Sequence, residues 1–120
     1  MGLFRSSTPT FPWVELTNEA QLQDFIEQSV NTPVLIFKHS TRCSISSMAK
    51  SRFEKNWKAN PEQCICVYLD LIAYRSISNL IESTLKVEHQ SPQAILLINK
   101  EVVYSASHNG IDANEISELI

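Results

Sequence analysis

A cysteine stands where an apolar run gives way to a polar turn and then to a helical pattern: Pro33-Val34-Leu35-Ile36-Phe37, then Lys38 to Arg42, then Cys43. A thiol at the first turn of a helix lies against unpaired backbone N–H groups and the positive end of the dipole. Both favour the thiolate, the form that attacks disulfides. Three residues on, where a Cys-x-x-Cys pair would carry its second sulfur, the chain has Ser46. The spacing points to a single-thiol site. Ser46, about one turn along the helix, is expected to hydrogen-bond the sulfur but cannot displace a bound thiol, so an adduct on Cys43 would persist until a separate thiol arrives.

The surrounding residue types fit that chemistry. Thr41, Arg42 and Ser44 argue against burial of Cys43, and Thr41 and Arg42 are the expected contacts for an incoming thiol substrate. Lys38, His39 and Arg42 are expected to be partly solvated and to add positive potential near the sulfur. Cys64 and Cys66 lie two apart among Ile65, Val67 and Leu69, so both face one side of a strand and read as core filler. Without a Cys-x2-4-Cys pair they do not read as a metal site. His89 and His108 fall in turns and are expected to be solvated, while Trp13 and Trp57 read as core residues.

Those side chains need a scaffold, and the hydrophobic pattern describes one. A strand is expected over Trp13 to Leu16. Asn18 with Gln21 forms a capping box ahead of Leu22, Phe25, Ile26 and Val30 at helical spacing. Val34 to Phe37 are apolar without alternation, the mark of a strand covered on both faces and central in its sheet. A second helix begins around Cys43 with Ile45, Ala49, Phe53 and Trp57 at intervals of four, Met48 beside them, and an end near Asn60-Pro61. Its apolar stripe is expected to lie on the sheet, leaving Lys50, Arg52, Glu54 and Lys58 wet.

The remainder completes the pattern. Gln63 to Leu71 reads as a strand, and Ile77, Leu80, Ile81 and Leu85 mark a third helix. His89-Gln90-Ser91-Pro92 makes a turn before the strand Ala94 to Ile98, and Asn99-Lys100 turns it into Glu101 to Ala106. Asp112 and Glu115 cap a last helix ending at Ile120. The order β-α-β-α-β-α-β-β-α implies an α/β fold: parallel strands joined by right-handed helical crossovers, an antiparallel hairpin at one edge, and helices on both faces.

Composition limits the possible partners. With 120 residues, 43% of them hydrophobic, the chain can bury one core without disulfide or metal staples. Residues 1–12 read as an irregular lead-in to a single domain over 13–120. A net charge of −3 with no basic cluster argues against nucleic acid or an anionic membrane as the main partner. The odd number of cysteines and a start without an apolar signal region point to a reducing, cytoplasmic home. Met1 to Ser6 matches the loose myristoylation pattern, which is read as chance in the absence of a second membrane signal.

With these residues in hand, the chain resembles a thioredoxin-like domain over nearly its whole length. More narrowly, Phe37-Lys38-His39-Ser40-Thr41-Arg42-Cys43-Ser44-Ile45-Ser46 resembles the active-site segment of the monothiol bacilliredoxins, the YtxJ-like proteins of the bacillithiol system. The family motif is Thr-x-Cys-Pro-Ile-Ser, and Ser44 stands here in place of the proline. Phe37 occupies the position, six before the first cysteine, where dithiol thioredoxins carry a buried acid. The resemblance implies a monothiol oxidoreductase that removes bacillithiol from S-thiolated proteins through Cys43, with no tightly bound cofactor or metal and with a reductase or second thiol completing turnover. It also implies that Ser91-Pro92, with a cis bond, offers backbone to the substrate beside Cys43. Glutathione or another small thiol in place of bacillithiol is equally compatible with the residues. A non-catalytic binding module or iron-sulfur carrier using Cys43 is the alternative class.

Overall fold

Asn18 starts the first helix as its spacing suggests: its side chain accepts from the Gln21 N–H while the Gln21 side chain accepts from the Asn18 N–H. The computed structural model describes residues 11–120. The Met1 to Ser6 pattern and residues 1–10 of the lead-in lie outside the described residues. The elements follow as β1 (Val14–Glu15), α1 (Glu19–Gln28), β2 (Val34–His39), α2 (Ser44–Asn56), β3 (Ile65–Asp70), α3 (Arg75–Leu85), β4 (Gln93–Ile98), β5 (Glu101–Ser107) and α4 (Ala113–Leu119). The predicted order holds throughout.

The five strands form one mixed sheet in the order β1-β3-β2-β4-β5. β1, β3 and β2 run parallel, and β4 and β5 are antiparallel to their neighbours. β2 is central and buried at every position, which explains why Val34 to Phe37 show no alternation. Alternating side chains still serve two layers. Val34 and Ile36 meet Leu22, Phe25, Ile77 and Ile81 beneath α1 and α3, while Leu35 and Phe37 meet Ala49, Phe53 and Ile116 beneath α2 and α4.

Turn chemistry fixes the hairpin. Asn99 and Lys100 both hold left-handed conformations, φ 54° and 68°, as the predicted two-residue turn between β4 and β5 requires. The Ser91-Pro92 bond is cis, as expected.

The second helix departs from its expected packing. It ends at Asn56, and Trp57 leaves in extended conformation to stack on Phe53 at a centroid distance of 5.0 Å. Ser46, Ala49 and Phe53 are its buried residues, whereas Ile45 and Met48 are 59% and 69% exposed. The interval-of-four stripe is therefore shifted at its first turn, where a serine faces inward. Lys50 and Glu54 are not fully wet either: they pair at 2.7 Å with side chains only 26% exposed, and Trp13 Nε1 donates to Glu54. Trp13 and Trp57 are half-buried against the layer under α2.

Candidate functional site

Cys43 is the N-cap of α2, its backbone extended at φ −112° and ψ 120°, and its side chain makes no capping hydrogen bond. It is partly exposed, flanked by the exposed Thr41, Arg42 and Ser44. The first-turn N–H groups of α2 lack partners within the helix, so the position brings a sulfur and several donors together. A tight turn holds the thiol in place: Cys43 N–H donates to the Ser40 carbonyl at 3.1 Å, and Ser47 N–H donates to the Cys43 carbonyl at 3.0 Å.

Ser46 corrects an expectation. Its hydroxyl does not serve the Cys43 sulfur. It is completely buried, lies 2.7 Å from His39 Nδ1 and accepts from the Ser40 N–H at 3.1 Å. The residue three after the cysteine therefore clamps the end of β2 to the start of α2, with the thiol-bearing turn between them. Helix periodicity could place Ser46 near the sulfur, but it could not say which neighbour the hydroxyl would choose.

Lys38 and His39 also differ from expectation, because neither is solvated. His39 is 5% exposed and faces the layer under α2, its ring 5.7 Å from that of Tyr68. Burial first, and then the nearby Lys50 ammonium, hold its pKa below the usual imidazole value, against the pull of Asp70 and Glu54. At neutral pH it is an uncharged hydrogen-bonding group and not a source of positive potential.

Lys38 is fully buried and projects from the opposite face of β2, where its Nζ lies 2.9 Å from Nδ1 of His89. Burial pulls the lysine pKa down to about 8 despite the attraction of Glu82. His89, expected in solvent, is half-buried in this contact. Its Nδ1 is also 3.3 Å from Ser78 Oγ, and its N–H donates to Glu82 at 3.0 Å. The sequence pattern ends the covered strand at Phe37 and puts Lys38 in a polar turn, whereas β2 runs on to His39 and carries Lys38 into the core.

Ser91 and Pro92 lie at the same end of the sheet. The antiparallel register pairs Lys38 with Gln93, so its continuation sets Pro92 alongside His39 at the exit of β2 toward Cys43. Pro92 is buried, and its carbonyl accepts from the His108 N–H at 3.1 Å. His108 is exposed, as expected of a turn residue. The Ser91 hydroxyl is buried without a hydrogen-bond partner. Cys64 and Cys66 are buried in the layer under α2, as core residues should be, and the interaction with Cys64, followed by burial, pushes the Cys66 thiol pKa up. Among the described residues no group of three or more His, Cys, Asp or Glu is placed to hold a metal. No helix among them is long and apolar enough to cross a membrane.

Comparison with known proteins places this geometry. A solved structure described as having a thioredoxin fold, and assigned only provisionally to the oxidoreductases, is similar at 28% identity and TM-score 0.75, covering 89% of this chain and 92% of the other. Thioredoxin from Malassezia sympodialis matches at 14% identity and TM-score 0.68, covering 96% and 93%. A thioredoxin mutant from Halobacterium salinarum matches at 15% and 0.66, covering 94% and 93%. These two distant matches show the fold alone. The sequence pattern of the family described as "Monothiol bacilliredoxin BrxC" matches residues 14–116, which span the sheet, the thiol turn and the cis-proline turn. The chain is thus a thiol-disulfide oxidoreductase of thioredoxin-like fold, and it belongs to the monothiol bacilliredoxin family.

Proposed function

We propose that this protein removes bacillithiol, or a chemically similar small thiol, from mixed disulfides on other proteins, with Cys43 as nucleophile. The observation that carries the reading is the half-exposed Cys43 at the start of α2, three residues before a serine whose hydroxyl is already engaged elsewhere. The Cys43 thiolate attacks the small-thiol sulfur of the mixed disulfide, a new S–S bond forms, and the protein thiolate leaves and takes up a proton. The small thiol remains on Cys43. With Cys64 and Cys66 buried in the core, an external thiol must attack the adduct and regenerate the Cys43 thiolate.

Thr41 and Arg42 are exposed beside the sulfur and are assigned to contact the small thiol. The Ser91-Pro92 turn is assigned to receive the substrate backbone. The protein substrates are S-thiolated proteins of a reducing compartment, which fits a cytoplasmic site of action. Ile45 and Met48, exposed on the N-terminal part of the helix that Cys43 caps, give such substrates an apolar surface to meet.

The test is direct. Purified protein is incubated separately with bacillithiol disulfide and glutathione disulfide, and the mass and position of the adduct are read. A rapid adduct on Cys43 that is lost in Cys43→Ser, together with release of the small thiol from a thiolated protein, is the expected result. Inert thiols with a visible charge-transfer band on iron loading would overturn the proposal and favour a cluster-binding module.

A further inference from the structure

A fully buried lysine contacts the loop that ends in the cis proline, and the mechanism above leaves it without a task. Lys38 Nζ reaches His89 Nδ1 at 2.9 Å, three residues before Pro92. The same loop is fastened at other points. Glu82 of α3 accepts from the His89 N–H at 3.0 Å, Gln90 N–H donates to the Gln93 side chain at 3.3 Å, and Gln93 Nε2 donates to the Glu88 carbonyl at 2.9 Å. Lys38 and Gln93 face each other across β2 and β4. The central strand and its neighbour thus each send one side chain into the segment that presents Ser91-Pro92.

We propose that Lys38 and His89 are positioning residues for thiol exchange, with the Lys38 ammonium donating to His89 Nδ1 and so setting the Ser91-Pro92 turn against the exit of β2 toward Cys43. The inference rests on the assignment of that turn as the receiver of substrate backbone. Its chemistry is conditional on protonation: the contact requires a neutral His89 with its lone pair on Nδ1. A second proton on the imidazole turns the acceptor into a donor facing an ammonium. The groups around His89 are Lys38 from β2, and Ser78, Glu82 and Arg75 from α3. Burial, Lys38 and Arg75 resist the proton and Glu82 attracts it, the net effect holding the His89 pKa below the ordinary imidazole value. The latch is therefore closed at neutral pH and opens on acidification.

Three measurements separate the possibilities. In Lys38→Met, which keeps length and apolar packing, the KM for a thiolated protein should rise about tenfold while alkylation of Cys43 by a small reagent stays within about twofold of the wild type. Slowed alkylation with unchanged KM would overturn the proposal, since the lysine would then act on the thiol. Pro92→Ala tests the underlying assignment: an unchanged KM there would sink the role of the turn. A raised KM in Pro92→Ala with a normal Lys38→Met would sink only the latch.

The third measurement is independent of turnover. His89→Asn keeps an acceptor that does not titrate, so in this variant the Gln90 and Ser91 amide resonances should stop shifting between about pH 7 and about pH 5, and the acid rise in KM should shrink. An acid limb and amide shifts identical to those of the wild type would overturn the proposal even if Lys38→Met failed to fold.

Discussion

Lys38 and His39 are consecutive on β2, both buried, and they serve opposite sides of the same functional edge. On the α2 side, His39 is uncharged and shares Ser46 with the Ser40 N–H, so the thiol turn is fixed by neutral hydrogen bonds. On the α3 side, Lys38 is an ammonium in an apolar layer with a neutral histidine as its close acceptor. One network is built for stability. The other keeps a buried charge at an energetic cost, which natural cores accept mainly where function needs it.

That difference predicts mutations of opposite sign. Ser46→Ala should have the largest effect, because it removes the partner of two groups at once, the part-buried Ser40 N–H and the buried His39 Nδ1. The expected loss is about 2 to 4 kcal/mol in urea unfolding, with slower alkylation of Cys43 as its turn loosens. A neutral result would mean that the two groups are satisfied in some other way, and the contrast between the sides would collapse. Lys38→Met should move stability the other way. Holding the lysine pKa at about 8 against an ordinary 10.5 means that folding penalises the charged form at pH 7, and removing it should gain about 2 kcal/mol. His89 Nδ1 still has Ser78 Oγ at 3.3 Å in that variant. A destabilised Lys38→Met would show that the ammonium is better compensated than its surroundings suggest.

The same lysine marks where the sequence could and could not be read. Strand and helix order, the centrality of β2 and the Asn99-Lys100 turn follow from local patterns: an unbroken apolar run, a capping box, a two-residue turn. The Ser91-Pro92 cis bond comes from the family resemblance, since a Ser-Pro pair alone is ordinarily trans. Local patterns carry chain geometry well, since backbone constraints act over a few residues. The partners of Lys38, His39 and Ser46 lie on other elements or depend on which face a side chain takes. Charge at position 38 suggested solvent, but a central strand leaves no solvent to reach. Ile45 and Met48 misled in the reverse direction: apolar residues at helical spacing suggested burial, yet at the first turn of α2 it is Ser46 that points inward. Hydrophobicity ranks average preference, and at a functional edge the average fails.

Acidity should act on both sides together. His39 and His89 are each held below the imidazole value of the unfolded chain, so the unfolded state takes up protons first as pH falls through about 6.5. The stability they contribute is complete above that pH and is lost progressively below it, down to the folded-state pKa values. Lys38 works at the other end of the scale: its folded pKa of about 8 lies below the unfolded 10.5, so its own contribution to stability should rise as pH climbs between those values. Unfolding free energies measured across pH should therefore slope upward in the acid window, and His89→Asn should flatten that slope in part. In the alkaline window the raised pKa values of Cys66, Tyr68 and Tyr104 pull stability down, so the Lys38 effect is read as the difference between wild type and Lys38→Met, which should shift in favour of the wild type as pH climbs. A difference that does not change with pH would contradict the burial argument for Lys38, and a level acid window would contradict it for the two histidines.

The smallest effect gives the cleanest separation of the two sides. Lys50 pairs with Glu54 at 2.7 Å, and its Nζ lies 5.4 Å from the Tyr68 ring centroid and 5.7 Å from that of Trp13. With both charged side chains about a quarter exposed, the pair should contribute less than about 1 kcal/mol. Lys50→Met should thus barely change stability. It should nevertheless raise the His39 pKa, since the Lys50 ammonium is the largest charge effect holding it down after burial. His89 answers to Lys38, Glu82 and Arg75 across the sheet and should not move. Imidazole titrations followed by NMR in the variant would read both values in one sample. If His89 shifts along with His39, the two faces of β2 are electrostatically one site, and the thiol turn and the proline turn are tuned jointly rather than by separate residues.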